Sequence, residues 1–252
     1  MIIHFWEVEL LKYNIDRPLT IVILAAGKGT RMNSDLPKVL HKINGVPMIE
    51  AVIKTAKKLN PKQIIAIIGY KKELVKEALV DCKINFAIQE EQNGTAHAVQ
   101  QCEEQLEAFD GDLLVLSGDV PLITSKTLNS FIELHQSNNS KASLISTNFK
   151  DPFGYGRIIR NKDNIFLKII EQKDANKVQE KINEINSGIY LFDSKTLFKN
   201  IHLIENKNMQ KEYYLTDIFN YINKNNISVL LTKNENEIYG INTIEQLKEI
   251  SI

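Results

Sequence analysis

The first half of the chain alternates short runs of branched apolar residues with stretches whose apolar positions recur every three or four residues. Thr20 to Leu24, Gln63 to Ile68 and Leu113 to Leu116 are such runs, as strands covered on both faces require, and Asn85 to Ile88 is a further extended segment. Between them Ile49, Val52, Ile53, Ala56 and Leu59 form one helical stripe, Lys72 to Val80 reads as a second helix and Thr95 to Phe109 as a third. This alternation predicts an α/β fold: a Rossmann-like, mainly parallel sheet with helices on both faces. After about Ser143 the pattern changes. Gly154 to Ile158, Ile165 to Ile170 and Ile185 to Phe192 are short extended segments separated by turn residues, which predicts a smaller, antiparallel, lid-like part. Thr216 to Asn223 reads as helix again and Ile227 to Leu231 as one more strand. With no repeat or low-complexity linker, the expected organisation is an extension over residues 1–18 and one domain over 19–252.

Sheets of this kind take ligands at the carboxyl ends of their strands. After the first run comes Leu24-Ala25-Ala26-Gly27-Lys28-Gly29-Thr30-Arg31-Met32, closed by Pro37-Lys38. Glycines let the backbone pass close to a ligand and expose several N–H groups at once, and Arg31 and Lys38 add fixed positive charge. That combination points to phosphate, in the form of a nucleoside triphosphate. Met32 stands where the dinucleotide fingerprint has its third glycine, and the G-K-[ST] of a P-loop is missing.

Ser117-Gly118-Asp119 ends another strand. Asp119 there either caps a turn or joins substrate phosphates around a hard cation such as magnesium. Gln89 ends a strand and Gly94-Thr95 opens the next helix, where an amide could read a base edge or Thr95 could simply cap the helix. His97 reads as a packing or capping residue. Glu171-Gln172-Lys173-Asp174, Asn186-Ser187-Gly188 and Gly240-Ile241-Asn242 each fit an ordinary turn, and Thr216 or Asp217 fits a cap after Tyr213-Tyr214.

Composition narrows the classes. Lysine plus arginine equals aspartate plus glutamate, 31 against 31, which argues against a dedicated nucleic-acid binder. No apolar run approaches the ~18 residues of a membrane span, and Glu7 and Glu9 interrupt the N-terminus where a signal peptide would be apolar. Cys82 and Cys102 have no metal-ligand spacing; Cys102 falls in register with Val99 and Leu106 as core filling. A reducing cytoplasm fits. Oligomeric state is left open.

The motifs acquire meaning together. L-A-A-G-K-G-T-R-M, P-K-V-L, Q-x(4)-G-T-A-H-A, G-D-V-P-L-I, G-Y-G-R-I, E-Q-K-D-A, I-N-S-G-I-Y, E-Y-Y-L-T-D and G-I-N occur in that order. The chain resembles, from about Leu19 to Leu247, the uridylyltransferase domain of bacterial N-acetylglucosamine-1-phosphate uridylyltransferases, within the nucleotide-sugar pyrophosphorylases. The resemblance implies UTP and N-acetylglucosamine 1-phosphate as substrates, Mg2+ as cofactor and a cytoplasmic role in making cell-wall precursors. It implies that Leu24, Ala25, Ala26 and Gly27 bracket uridine and phosphates, with Ser117 and Gly118 beside them. Arg31 and Lys38 would act on the transferring phosphate, and Gln89, Gly94 and Thr95 would recognise uracil. Gly156, Glu171, Asn186, Tyr214 and Thr216 would hold the sugar, and Asp119 and Asn242 the metal.

Two departures stand out. The family usually has tyrosine where this chain has Ser117, so packing near the ribose must differ. Its members usually continue into a hexapeptide-repeat acetyltransferase domain that trimerises them; the sequence to Ile252 has no such repeat, so neither property is expected here. Two other readings are compatible with the pattern: a thymidylyl- or cytidylyltransferase for another sugar phosphate, and a non-catalytic sugar-nucleotide sensor.

Overall fold

The computed structural model describes residues 17–250, so the expected extension lies outside the described residues except for Arg17 and Pro18. The strands are β1 (Leu19–Ala25), β2 (Lys42–Ile43), β3 (Val46–Pro47), β4 (Gln63–Ile68), β5 (Asn85–Ile88), β6 (Asp112–Ser117), β7 (Ala142–Asn148), β8 (Arg157–Arg160), β9 (Phe166–Ile170), β10 (Glu184–Asp193) and β11 (Ile227–Leu231). The helices are α1 (Met48–Lys57), α2 (Lys72–Ala78), α3 (Thr95–Gln100), α4 (Ser125–Ser137), α5 (Ser194–Ile201) and α6 (Ile244–Ile250).

The main sheet runs β11-β7-β10-β6-β1-β4-β5. β1 pairs in parallel with β4 and β6, β4 with β5 and β7 with β11, whereas β10 is antiparallel to both its neighbours. Alternate residues of β1 enter two separate cores. Ile21 and Ile23 pack with Ile49, Val52 and Ile53 of α1, Val75 of α2 and Phe131 of α4. Val22 packs with Val99 of α3, Leu197 and Ile201 of α5, and Leu215 and Phe219. Both faces being covered explains the unbroken apolar runs and sets the parallel-strand ends as the open edge.

The structure redraws several expected elements. Ile185 to Phe192 belongs to β10, a full member of the main sheet; the antiparallel part is the β8–β9 hairpin, joined to β10 where Arg157 opposes Ile185. Because β10 is reversed, its beginning, Asn186 to Gly188, lies at the carboxyl end of β6. Residues 95–109 do not form one helix. α3 ends at Gln100, and Glu104–Leu106 is a tighter 3-10 turn, although Val99, Cys102 and Leu106 are all buried in one core as the spacing requires. Over two turns, hydrophobic spacing does not distinguish three residues per turn from 3.6. The segment from Leu215 to Asn220 is likewise 3-10. Burial pushes the Cys102 thiol up to about 12, which removes thiolate chemistry at neutral pH. Among the described residues no helix is long and apolar enough to cross a membrane.

Candidate active site

A cleft of about 470 Å³ opens at the carboxyl ends of β1, β5 and β6. Leu24 to Gly27 floor it, and a Cβ added to Gly27 would meet nothing within 4 Å, so that backbone faces the opening. Gly29 adopts a left-handed φ of 64°, and a side chain there would place its Cβ 2.4 Å from Lys38 Cβ. Glycine at this point is therefore what allows Lys38 to fold back over the loop. Gln89 is buried and donates from Nε2 to the Gly94 carbonyl at 3.0 Å, with His97 Nδ1 3.1 Å away. The amide thus spends its N–H donors inside the protein and has only its acceptor to offer a ligand, and His97 holds it through its ring nitrogen.

Thr95 does not cap α3. Its hydroxyl accepts the Leu215 N–H at 2.9 Å, while Ala96 N–H donates to the Tyr213 carbonyl at 2.8 Å and Tyr213 N–H to the Asn93 carbonyl at 2.8 Å. This seam lays the E-Y-Y-L-T-D segment along the G-T-A-H-A segment.

Charge concentrates where the cleft reaches the end of β6. Lys38 Nζ pairs with the Asp119 carboxylate and lies 2.7 Å from Asn242 Oδ1, which also accepts from Arg31 Nη2 at 2.8 Å. Asn242 is held in that orientation because its Nδ2 donates to the Gly240 carbonyl at 3.0 Å. Ile241 N–H donates to the Asp119 carbonyl at 3.0 Å, pinning the Gly240–Asn242 loop beside β6. An ammonium lodged between a carboxylate and an amide oxygen marks a position of negative potential with two hard oxygen donors, a donor set suited to a hard divalent cation. Among the described residues no group of three His, Cys, Asp or Glu is placed to hold a metal ion, so a cation here would complete its shell with substrate oxygens and water.

Beyond Ser117 the cleft continues into a hollow of about 210 Å³ lined by Gly156, Glu171, Asn186, Thr216, Asp119 and Asn242, among others. Asn186 is buried; its N–H donates to the Gly156 carbonyl at 2.9 Å and its Nδ2 to Tyr190 Oη at 2.7 Å. Glu171 accepts the Thr216 hydroxyl at 2.9 Å. Burial raises its carboxyl above the ordinary range; the Thr216 hydrogen bond opposes this, and Asp217, Asp174 and Glu212 reinforce it. Ser117 Oγ reaches toward the Gly188 carbonyl at 3.4 Å and lines both spaces.

The sequence profile of the nucleotidyl transferase family matches residues 20–237. The chain belongs to that family. It is 47% identical over 223 residues to the bifunctional protein GlmU of Streptococcus pyogenes serotype M3, an alignment covering 88% of this chain and 48% of the relative. The serotype M28 and M12 proteins of the same name give the same identity and share of this chain, with 48% and 53% of their own length covered. The chain spans about half the length of these curated relatives.

This nucleotidyl transferase brings most of the anticipated residues into the two connected spaces. Gly118 and Tyr214 are not among the residues lining either one. The Gly118 N–H donates to the Leu24 carbonyl at 3.0 Å, joining β1 to β6. Tyr214 is 8% exposed and lines a separate hollow with Asp174 and Asp217 on another side of Glu171. Lining residues not anticipated include Gln92, Glu212, Tyr155 and Tyr190. Glu212, Tyr155 and Tyr190 all lie inside the quoted motifs, and the reversed direction of β10 carries Tyr190 to the site.

Proposed function

We propose that this chain catalyses, in the cytoplasm, transfer of a uridylyl group from UTP to N-acetylglucosamine 1-phosphate with release of pyrophosphate. The observation that carries the reading is the convergence of Arg31 and Lys38 on Asp119 and Asn242 at the junction between a nucleotide-sized cleft and a smaller polar hollow. A phosphate oxygen of the sugar phosphate attacks the α-phosphorus of UTP. The new P–O bond forms as the bond to the α,β-bridging oxygen breaks, and the electron pair leaves with pyrophosphate. Two polyanions must meet, so the protein's first task is to weaken their repulsion, and Arg31, Lys38 and the Gly27–Gly29 amides do this in a pre-formed site. The attacking phosphate is already ionised at neutral pH, so no protein base or nucleophile is required.

The Gln89 acceptor suits the N3–H of uracil, with Gly94 permitting close approach of the ring. Gly156, Glu171, Asn186 and Thr216 offer backbone, carboxylate, amide and hydroxyl groups to sugar hydroxyls and the acetamido group. Asp119 and Asn242 would hold Mg2+, which when bound supplies additional charge neutralisation at the reacting phosphates.

The test is pyrophosphate release from UTP across a panel of sugar 1-phosphates, with and without Mg2+. N-acetylglucosamine 1-phosphate should give the fastest release, and omission of the cation should abolish it. Faster release from dTTP with glucose 1-phosphate would overturn the substrate assignment. Tight binding of UDP-N-acetylglucosamine without any pyrophosphate release would replace the enzyme by a sensor.

A further inference from the structure

Arg157, at the entry to β8, is the largest fully buried side chain among the described residues, 1% exposed. A guanidinium removed from water ordinarily meets a carboxylate, yet the acceptors of Arg157 are all neutral and come from three separate stretches. They are the Tyr155 carbonyl, Gln172 Oε1 at 3.0 Å and the Glu180 carbonyl at 3.2 Å. Gln172 Oε1 also accepts the Gly154 N–H at 2.9 Å, so one amide oxygen closes the turn on both sides.

The chain neighbours of this clasp give it meaning. Gly156 precedes Arg157 and Glu171 precedes Gln172, and both face the smaller hollow, which Arg157 itself does not line. A Cβ built on Gly156 would lie 3.3 Å from Glu171 Oε2 and 3.1 Å from Ile169 Cγ2, so the carboxylate faces the Gly156 backbone too closely for a side chain to stand between them. The G-Y-G-R-I arginine therefore connects both sides of the space without entering it.

We infer that Arg157 is a positioning residue for sugar recognition, its buried fork setting the spacing between the Gly156 backbone and the Glu171 carboxylate. The inference rests on the reading of that hollow as the sugar site. A planar guanidinium can hold three divergent acceptors at once; a lysine ammonium keeps the charge and loses that geometry.

The experiment compares binding of UDP and UDP-N-acetylglucosamine to the full chain by calorimetry, alongside steady-state kinetics. R157K should weaken UDP-N-acetylglucosamine about 10-fold, the scale of one charge-assisted hydrogen bond, and leave UDP unchanged. KM for the sugar phosphate should rise by the same factor, with KM for UTP and kcat held. Q172A should act in the same direction by about threefold, and R157K/Q172A should be no weaker than R157K alone, because both break one clasp. Equal losses of UDP and UDP-N-acetylglucosamine, or no loss of either, would overturn the inference. If R157K does not fold, Q172A decides by the same comparison. If the wild type turns over a different sugar 1-phosphate, the proposed substrate is wrong, and the same split read with that sugar nucleotide still tests Arg157.

Discussion

The two halves of the site are built by different means. The half proposed for the nucleotide is largely backbone on parallel strand ends: a glycine loop after β1, a strand-end amide after β5 and a turn after β6. The half proposed for the sugar is largely side chains, carried by a reversed strand, a hairpin and a 3-10 segment that meet from distant parts of the chain. Backbone donors and fixed cations suit a triphosphate, whose charge is large and whose shape varies little. A carboxylate, an amide and a hydroxyl suit a sugar, which must be told from its stereoisomers by hydrogen bonds. Substitutions in the first half should therefore act mainly on kcat, and those in the second on KM for the sugar phosphate.

The largest effect should come from Asp119→Asn, which removes the only carboxylate of the charged cluster. Turnover at saturating substrates should fall about 10³-fold, measured as pyrophosphate release over a Mg2+ titration. Arg31→Ala should lower kcat about 10²-fold, the scale of one lost charge-stabilising donor, with little change in either KM. A rate within threefold of the parent would remove Arg31 from the reaction centre and erase the contrast between the halves.

The same contrast explains what could be read from the sequence. The β1 loop is contiguous, and its glycines, Arg31 and Lys38 announce an anion site within fifteen positions of chain. The parallel strands were legible because burial on both faces makes them continuously apolar. β10 is also apolar, but nothing local to it states that it runs against its neighbours, so it read as part of a lid. Asn242 by itself is one more turn residue; only the Ile241 N–H bond to the Asp119 carbonyl brings it to the phosphate end. Thr95 looked like a helix cap because its partner, Leu215, is remote in sequence and close only in the fold. Gly118 and Tyr214 sat in the right motifs, yet the first joins two strands and the second lines a separate hollow.

Where the halves touch, the expected effects should mix. Gly94 has φ 113°, and a Cβ there would lie 2.5 Å from the Tyr213 carbonyl oxygen and 2.6 Å from its nitrogen. Gly94→Ala should force apart the seam that carries Tyr213 to Thr216 along α3. Urea unfolding should show a loss of about 2 kcal/mol or more, and KM should rise about 10-fold for both UTP and the sugar phosphate. A rise for UTP alone would show that the seam isolates the two halves instead of coupling them.

The smallest effect is the most discriminating, because stability and binding should move in opposite directions. Burial, with Asp217, Asp174 and Glu212 nearby, raises the Glu171 carboxyl above its ordinary 4.5 in the folded protein. As pH rises above 4.5, the unfolded chain releases this proton before the folded one does, so ionisation progressively weakens the fold. Glu171→Gln removes that penalty. The variant should melt at a higher temperature than the parent at pH 7, and the difference should vanish below pH 4.5, where both states of the parent are protonated. Binding should respond the other way, since an amide offers sugar hydroxyls a weaker acceptor than a carboxylate. KM for the sugar phosphate should rise about fivefold in the variant, and in the parent it should climb on acidification before ordinary carboxylates titrate, with KM for UTP unmoved. A variant that melts lower at pH 7 and binds the sugar phosphate as well as the parent would assign Glu171 to structure, and the sugar half would lose the carboxylate that sets it apart.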